Sequence, residues 1–114
     1  MTSVEQRIRD ALLPIVPVVE PLLYKGSAKT YIVFNYDSIG AVFAESTLAE
    51  QRELIQVHLY LPHGKNPVSL KRRIAVALVK AGATYPMITS AGDDQGQHYV
   101  FETEMVTSYG PADD

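Results

Sequence analysis

The sequence contains no cysteine. That excludes a disulfide framework, thiolate metal sites and a cysteine nucleophile. Tryptophan is also missing, so tyrosine, at seven copies, is the main aromatic. Neither GxGxxG nor GxxxxGK[ST] occurs, which removes the glycine-rich phosphate loops. No serine stands in GxSxG. Basic surplus is lacking as well: the formal charge is -3 and the pI about 5.5. A duplex-binding surface asks for the opposite sign. The longest apolar run, Ala11 to Leu23, is interrupted by Pro14, Pro17, Glu20 and Pro21. It is too short and too broken to span a bilayer, so no membrane partner is expected. The first residues show no charged, apolar, small-residue order, so no leader is expected.

What remains is an ordinary globular composition, 46% apolar over 114 residues. A chain of this size buries one core without staples. One domain over residues 3–107 is expected, with 108–114 as a loose tail.

The most legible stretch is Glu53 to Leu61. Ile55, Val57, Leu59 and Leu61 alternate with Gln56, His58 and Tyr60. That is the period of a half-buried strand with one apolar and one polar or aromatic face. Thr30 to Tyr36 reads as a second strand, β-branched and aromatic. Apolar residues on both of its faces predict a central place in the sheet. Asp37 to Gly40 reads as a turn. Ala41 to Ala44 is either a short strand or a loop. Thr47 to Leu54 has helix propensity. The alternation that follows favours a loop over residues 46–50 leading into the strand.

Two helices are expected. Ser3 and Gln6 form a capping box before Val4, Ile8, Ala11 and Leu12, and Pro14 ends the helix near Leu13. The connector to Leu23 is extended, with a short strand at Val18–Val19. Asn66 is the expected N-cap of the second helix, with Pro67 at its first position. Leu70, Ile74, Ala77, Leu78 and Ala81 make its apolar stripe, and Gly82 its stop. Residues 84–90 read as a strand held to an edge or a bulge by Pro86. A hairpin loop over residues 91–96 leads to the last strand, Gln97 to Thr107. Tyr99, Phe101, Thr103 and Met105 share one of its faces; Val100, Glu102, Glu104 and Val106 share the other. The fold class is α/β of the α+β type: an antiparallel-rich mixed sheet of four to five strands with two helices on one face. A right-handed crossover through the second helix would make the sheet mixed.

Candidate chemistry is sparse. His58, His63 and His98 stand at no metal-ligand spacing, although His58 and His98 fall on strands that can be neighbours. Lys71, Arg72 and Arg73 fan over about 200° of a helix and form no single patch. Asp93 and Asp94 sit in a polar hairpin tip without the spacing of a calcium loop. Glu102 and Glu104 share a strand face with no accompanying acid or nucleophile. No cofactor, no metal ligand and no catalytic residue is assigned, and the chain is not read as an enzyme.

The layout resembles the small tail-completion, or tail-terminator, proteins of long-tailed bacteriophages. The likeness lies in the order of Tyr31-Ile32-Val33-Phe34, Val42-Phe43-Ala44-Glu45, Val57-His58-Leu59-Tyr60, Gly82-Ala83-Thr84-Tyr85 and the closing run from Tyr99 to Met105. It runs from about residue 3 to 107. Lys29-Thr30 precede the aromatic strand where such proteins often have proline. The resemblance implies a virion protein, assembled in the bacterial cytoplasm, that forms a ring, commonly a hexamer. The ring ends growth of the tail tube and joins the tail to the head connector. Its partners would be further copies of itself, the tube protein and a head-completion protein. DNA would pass through the lumen without being read. Six copies at -3 each carry -18, a charge that keeps a DNA passage from adhering.

The stretch from Ser38 to Glu50 is the expected assembly segment. Ile39, Val42, Phe43 and Leu48 are its contact candidates, and Asp93 and Asp94 are second choices. Phe43→Asp is expected to spare the monomer and weaken assembly. The alternative is a small α/β ligand-binding or enzyme domain using the sheet face of His58, Tyr60 and His98. A third reading is a single-strand nucleic-acid platform on Tyr31, Tyr60 and Tyr99, against which the acidic balance argues.

Overall fold

The computed structural model describes residues 3–42 and 48–111, and for 41–42, 48–50 and 107–111 the backbone alone. Helix α1 (Val4–Leu12) starts where Ser3 Oγ accepts from the Gln6 amide at 3.1 Å. It buries Val4, Ile8 and Leu12, spaced four residues apart, with Ala11 partly buried beside them, as read from sequence. Strand β1 (Val19–Pro21) follows, then β2 (Tyr31–Val42) and β3 (Leu48–Leu61). Helix α2 (Val68–Lys80) leads to β4 (Met87–Ser90) and β5 (Gln97–Pro111).

The five strands lie in the order β1-β2-β3-β5-β4. Only β1 and β2 pair parallel; the other neighbours are antiparallel. Strands β3 and β4 therefore point the same way, and α2 is the crossover between them. The expected mixed, antiparallel-rich sheet with two helices on one face is what forms. Ile32, Phe34, Ile55, Val57, Leu59, Leu61, Phe101 and Met105 turn one face of the sheet into the core. Ile8, Leu12, Ile74 and Leu78 close over it. The only buried polar residues among those described are Glu53 and Thr103, and both are bonded.

Several boundaries depart from the sequence reading. Residues 37–40 form no turn: β2 runs straight through them, with Asp37 opposite Leu54 and Ser38 opposite Glu53. Residues 48–50 are strand, not loop, so the described part of the expected assembly segment, residues 38–42 and 48–50, is strand. The supposed tail is strand as far as Pro111. In each case ladder pairing with a neighbour overrides weak local preference. The cap of α2 shifts by one residue: Pro67 occupies the N-cap, while Asn66 Oδ1 accepts from the Val68 amide at 3.0 Å. Gly82 ends α2 as expected, at φ 104°. The strand expected from residue 84 begins at Met87 and lies at the sheet edge. Ahead of it, Thr84 is tied to β5 through Thr103 and the Glu104 backbone.

The helices cover only part of the sheet. A 13-residue helix is about 20 Å long, whereas a 14-residue strand runs about 46 Å. The molecule measures 54 × 23 × 22 Å accordingly. Beyond Phe34, Glu53 and Met105, strands β2, β3 and β5 continue as a three-stranded arm.

Candidate functional site

Two features stand out on the sheet: a ladder of rings on its uncovered face, and the open edges of the arm. Alternation places Tyr31, His58, Tyr60 and His98 opposite the core-facing residues of their strands. Register then brings them together, with Tyr31 opposite Tyr60 and Tyr60 opposite His98. Tyr31 and Tyr60 stack at 4.8 Å, and Tyr60 and His98 at 4.2 Å with 16° between planes. Tyr24 extends the row beyond Tyr31 at 4.8 Å. These spacings match the roughly 4.8 Å between strands, so each ring stands on its own strand and presses its face on the next.

His58 closes the row. Its Nδ1 lies 2.8 Å from His98 Nε2, so one imidazole donates and the other accepts. Burial lowers the proton affinity of both. For His58 the neighbouring His98 lowers it further, and Glu102 acts the other way. For His98 the Ala91 backbone contact and Asp93 act against the effect of burial. The Tyr60 phenol is raised from its ordinary 10.0 by burial and by Tyr31.

Beside the ladder lies an open depression of about 500 Å³, lined by Lys29, Tyr31, Tyr60, Asp93, Gln97 and His98 among others. Its walls are fixed by cross-loop bonds. Gln97 Nε2 donates to the carbonyls of Pro62 and Lys65 at 2.9 and 2.7 Å. His63 Nε2 donates to the Asp93 carbonyl at 2.7 Å. Asp93 is thus a loop-ordering residue, its side chain accepting from the Gln95 amide. Asp94 is exposed at the same tip.

The stacking platform of the third reading, Tyr31, Tyr60 and Tyr99, is only partly assembled. Tyr99 lies on the helix side of β5, where Lys71 Nζ sits 4.6 Å over its ring. Lys71 is therefore held against an aromatic face rather than merely solvated. Tyr31 and Tyr60 do adjoin, but their faces are spent on each other, leaving edges outward. Among the described residues, no group of three or more histidines, cysteines or carboxylates stands ready for a metal.

The second feature is the arm. Ile32 donates to Val18 and Phe34 accepts from Leu22, so the even residues of β2 point their backbone groups toward β1. Strand β1 pairs only with residues 32–34. Register along β2 is continuous to Val42. Tyr36, Ser38 and Gly40 therefore direct N–H and C=O groups outward, past the end of β1. On the opposite side, β5 outruns β4: its pairing ends at Glu102, with a last bridge from Ala83 to Met105. Ile39 is 46% exposed on this arm. Val42 and Leu48 belong to its strands, but their side chains, and all of Phe43, lie outside the described residues. Sequence reasoning missed the edges because it took residues 37–40 for a turn; the unbroken Ala41-Val42 was the available signal.

No helix is long and apolar enough to cross a membrane among the described residues. No protein-family model matches the chain, and no curated protein matches it. A solved structure of a protein with no functional name aligns over 93% of this chain and 92% of its own, with a TM-score of 0.55 and 13% identity. The chain is similar to it in fold.

Proposed function

We propose that the protein is a tail-completion, or tail-terminator, protein of a long-tailed phage or prophage, acting as a virion ring that ends tube growth and joins the tail to the head connector. The observation that carries the reading is the arm, a three-stranded ribbon outside the core with an open edge on each side. Two different edges on one chain make a heterologous interface, and such interfaces close into rings when the rotation permits. Strand addition along Tyr36 to Gly40 would pair these outward-directed groups. The uncovered face beside the arm carries Asp37, Glu102 and Glu104 against Arg52, in keeping with an acidic wall around passing DNA. Ending a tube and joining it to a connector asks for interfaces rather than catalysis.

The ladder and its depression favour a second reading, a ligand-binding domain using His58, Tyr60 and His98. It ranks lower because the ring faces a flat ligand would need are occupied by neighbouring rings.

Negative-stain microscopy of the protein alone and mixed with tail tubes tests the proposal. Rings that cap one end of each tube are expected. Tubes that stay uncapped, or that are decorated along their sides, would overturn it.

A further inference from the structure

We infer that Leu22 and Leu23 of one copy seat against the β4 edge of the next copy, in the depression bordered by Leu54 and Met87. The inference rests on the ring reading above and names its lateral contact. It starts from a strained turn. Leu22 is a non-glycine residue at φ 67°. The Leu23 amide donates to the Pro21 carbonyl at 2.7 Å, the bond of a γ-turn of the rare hand. Glycine would hold this turn without strain, so it is the side chain, not the backbone, that calls for leucine. Yet Leu22 is 77% exposed, and Leu23 is exposed beside it. Two adjacent leucines are thus presented to something outside the chain.

The turn is already rigid. The Leu22 amide donates to the Phe34 carbonyl at 2.8 Å, fixing the turn to β2. Tyr24 stacks on Tyr31, and its hydroxyl accepts from the Ala28 amide at 2.9 Å. Ordering the leucines therefore costs little on association.

The seat lies at the opposite edge of the sheet. Met87 is 69% exposed there, beside an open depression of about 380 Å³ that Leu54 also lines. Register sets both features at one height. Leu22 is bonded to Phe34; the next residue, Asn35, is opposite Gln56, Gln56 opposite Glu102, and Glu102 opposite Met87. A neighbour displaced sideways without sliding brings the turn of one copy to the seat of the next. The same placement aligns the open β2 edge from Tyr36 to Gly40 with the open part of β5, since Tyr36 lies level with Thr103 through Ile55. Charge agrees. From Leu22 to Tyr36 the chain carries Lys25 and Lys29, both exposed, and no carboxylate. The depression carries Asp37, Glu102 and Glu104, with Arg52 against Glu104. One incoming lysine still leaves carboxylates in excess, so the uncovered face keeps its negative sign. The occupant that fits is a second copy of this chain.

The test uses the lack of native cysteine. Leu22→Cys and Met87→Cys proteins are mixed and oxidised. Four strand spacings, about 19 Å, separate the two edges within one chain, too far for an internal disulfide. Mixed disulfide dimers are expected, and a ladder of multimers from the doubly substituted chain. A mixture of Leu22→Cys with Val68→Cys, on α2, should give neither. Leu22→Gly should keep the melting temperature of the monomer, because strain is relieved, and weaken self-association at least about tenfold in sedimentation. Amide NMR spectra check its fold; should it unfold, the cross-link decides alone. No more cross-link than with V68C, or rings from a folded L22G at the yield of the unaltered protein, would overturn the seat. Rings that cap tubes without the cross-link would overturn the seat and leave the tail reading standing. Cross-linked rings that cap no tube would keep the seat and overturn the tail reading. A protein that stays monomeric even with tubes would overturn both.

Discussion

Ser38 Oγ donates to Glu53 Oε2 at 2.7 Å, joining β2 to β3 at the point where the core ends and the arm begins. Glu53 is only 5% exposed, and Gln51 Nε2 approaches its other oxygen at 3.4 Å. Removing the hydroxyl leaves a buried carboxylate short of its nearest donor. Ser38→Ala should therefore destabilise the protein by about 1–2 kcal/mol. Ser38→Thr, which keeps the donor on a β-branched residue, should cost less. Urea denaturation of the two variants checks both.

Gly82 closes α2 in a conformation that other residues avoid. At φ 104° a side chain is strained, and an added Cβ would stand 2.7 Å from Arg7 Nη2. That guanidinium donates to the Ala81 carbonyl at 2.7 Å, tying α1 to the end of α2. Gly82→Ala should cost more than about 1 kcal/mol, because strain and displacement of Arg7 add. Arg7→Ala should make part of this loss on its own, and thermal unfolding of the double variant should show the two effects to be less than additive.

The histidine pair sets a pH dependence. His58 faces His98, Tyr60 and Glu102, and His98 also senses Asp93 and the Ala91 backbone. Both imidazoles bind protons more weakly in the fold than at their ordinary value of 6.5. The unfolded chain therefore takes up more protons, and stability rises with pH through this window. Stability should be full above the ordinary value and decline as pH falls below it toward the folded values. Denaturation at a series of pH values should show this slope, and His58→Gln combined with His98→Gln should reduce it.

Gly40 separates folding from assembly. Its N–H points away from β3, so proline there removes an outward donor and leaves the β2–β3 ladder intact. Gly40→Pro should keep the monomer's amide spectrum outside the arm and abolish ring formation in light scattering and microscopy. Rings formed by G40P would place the contact elsewhere on the molecule.

The sequence by itself determined the core and most of the elements. Ile55 to Leu61 alternate strictly, and one residue of slippage would turn the whole set to water, so the face was legible. Val4, Ile8 and Leu12, and Ile74 and Leu78, were legible for the same reason at helical period. Tertiary structure decided the rest. Asp37 to Gly40 carries turn-forming residue types, yet pairing with Leu54 to Gln51 extends it, because ladder bonds outweigh weak turn preference. The meeting of His58 with His98, 40 residues apart, followed from the β3–β5 register, which no local pattern encodes. The faces of Tyr99 and Tyr60 were already legible from alternation, Tyr99 with Phe101 on the core side and Tyr60 on the face opposite Leu59. Which side chains are neighbours depends on how strands slide past one another, and that is settled only when the whole sheet finds its common core.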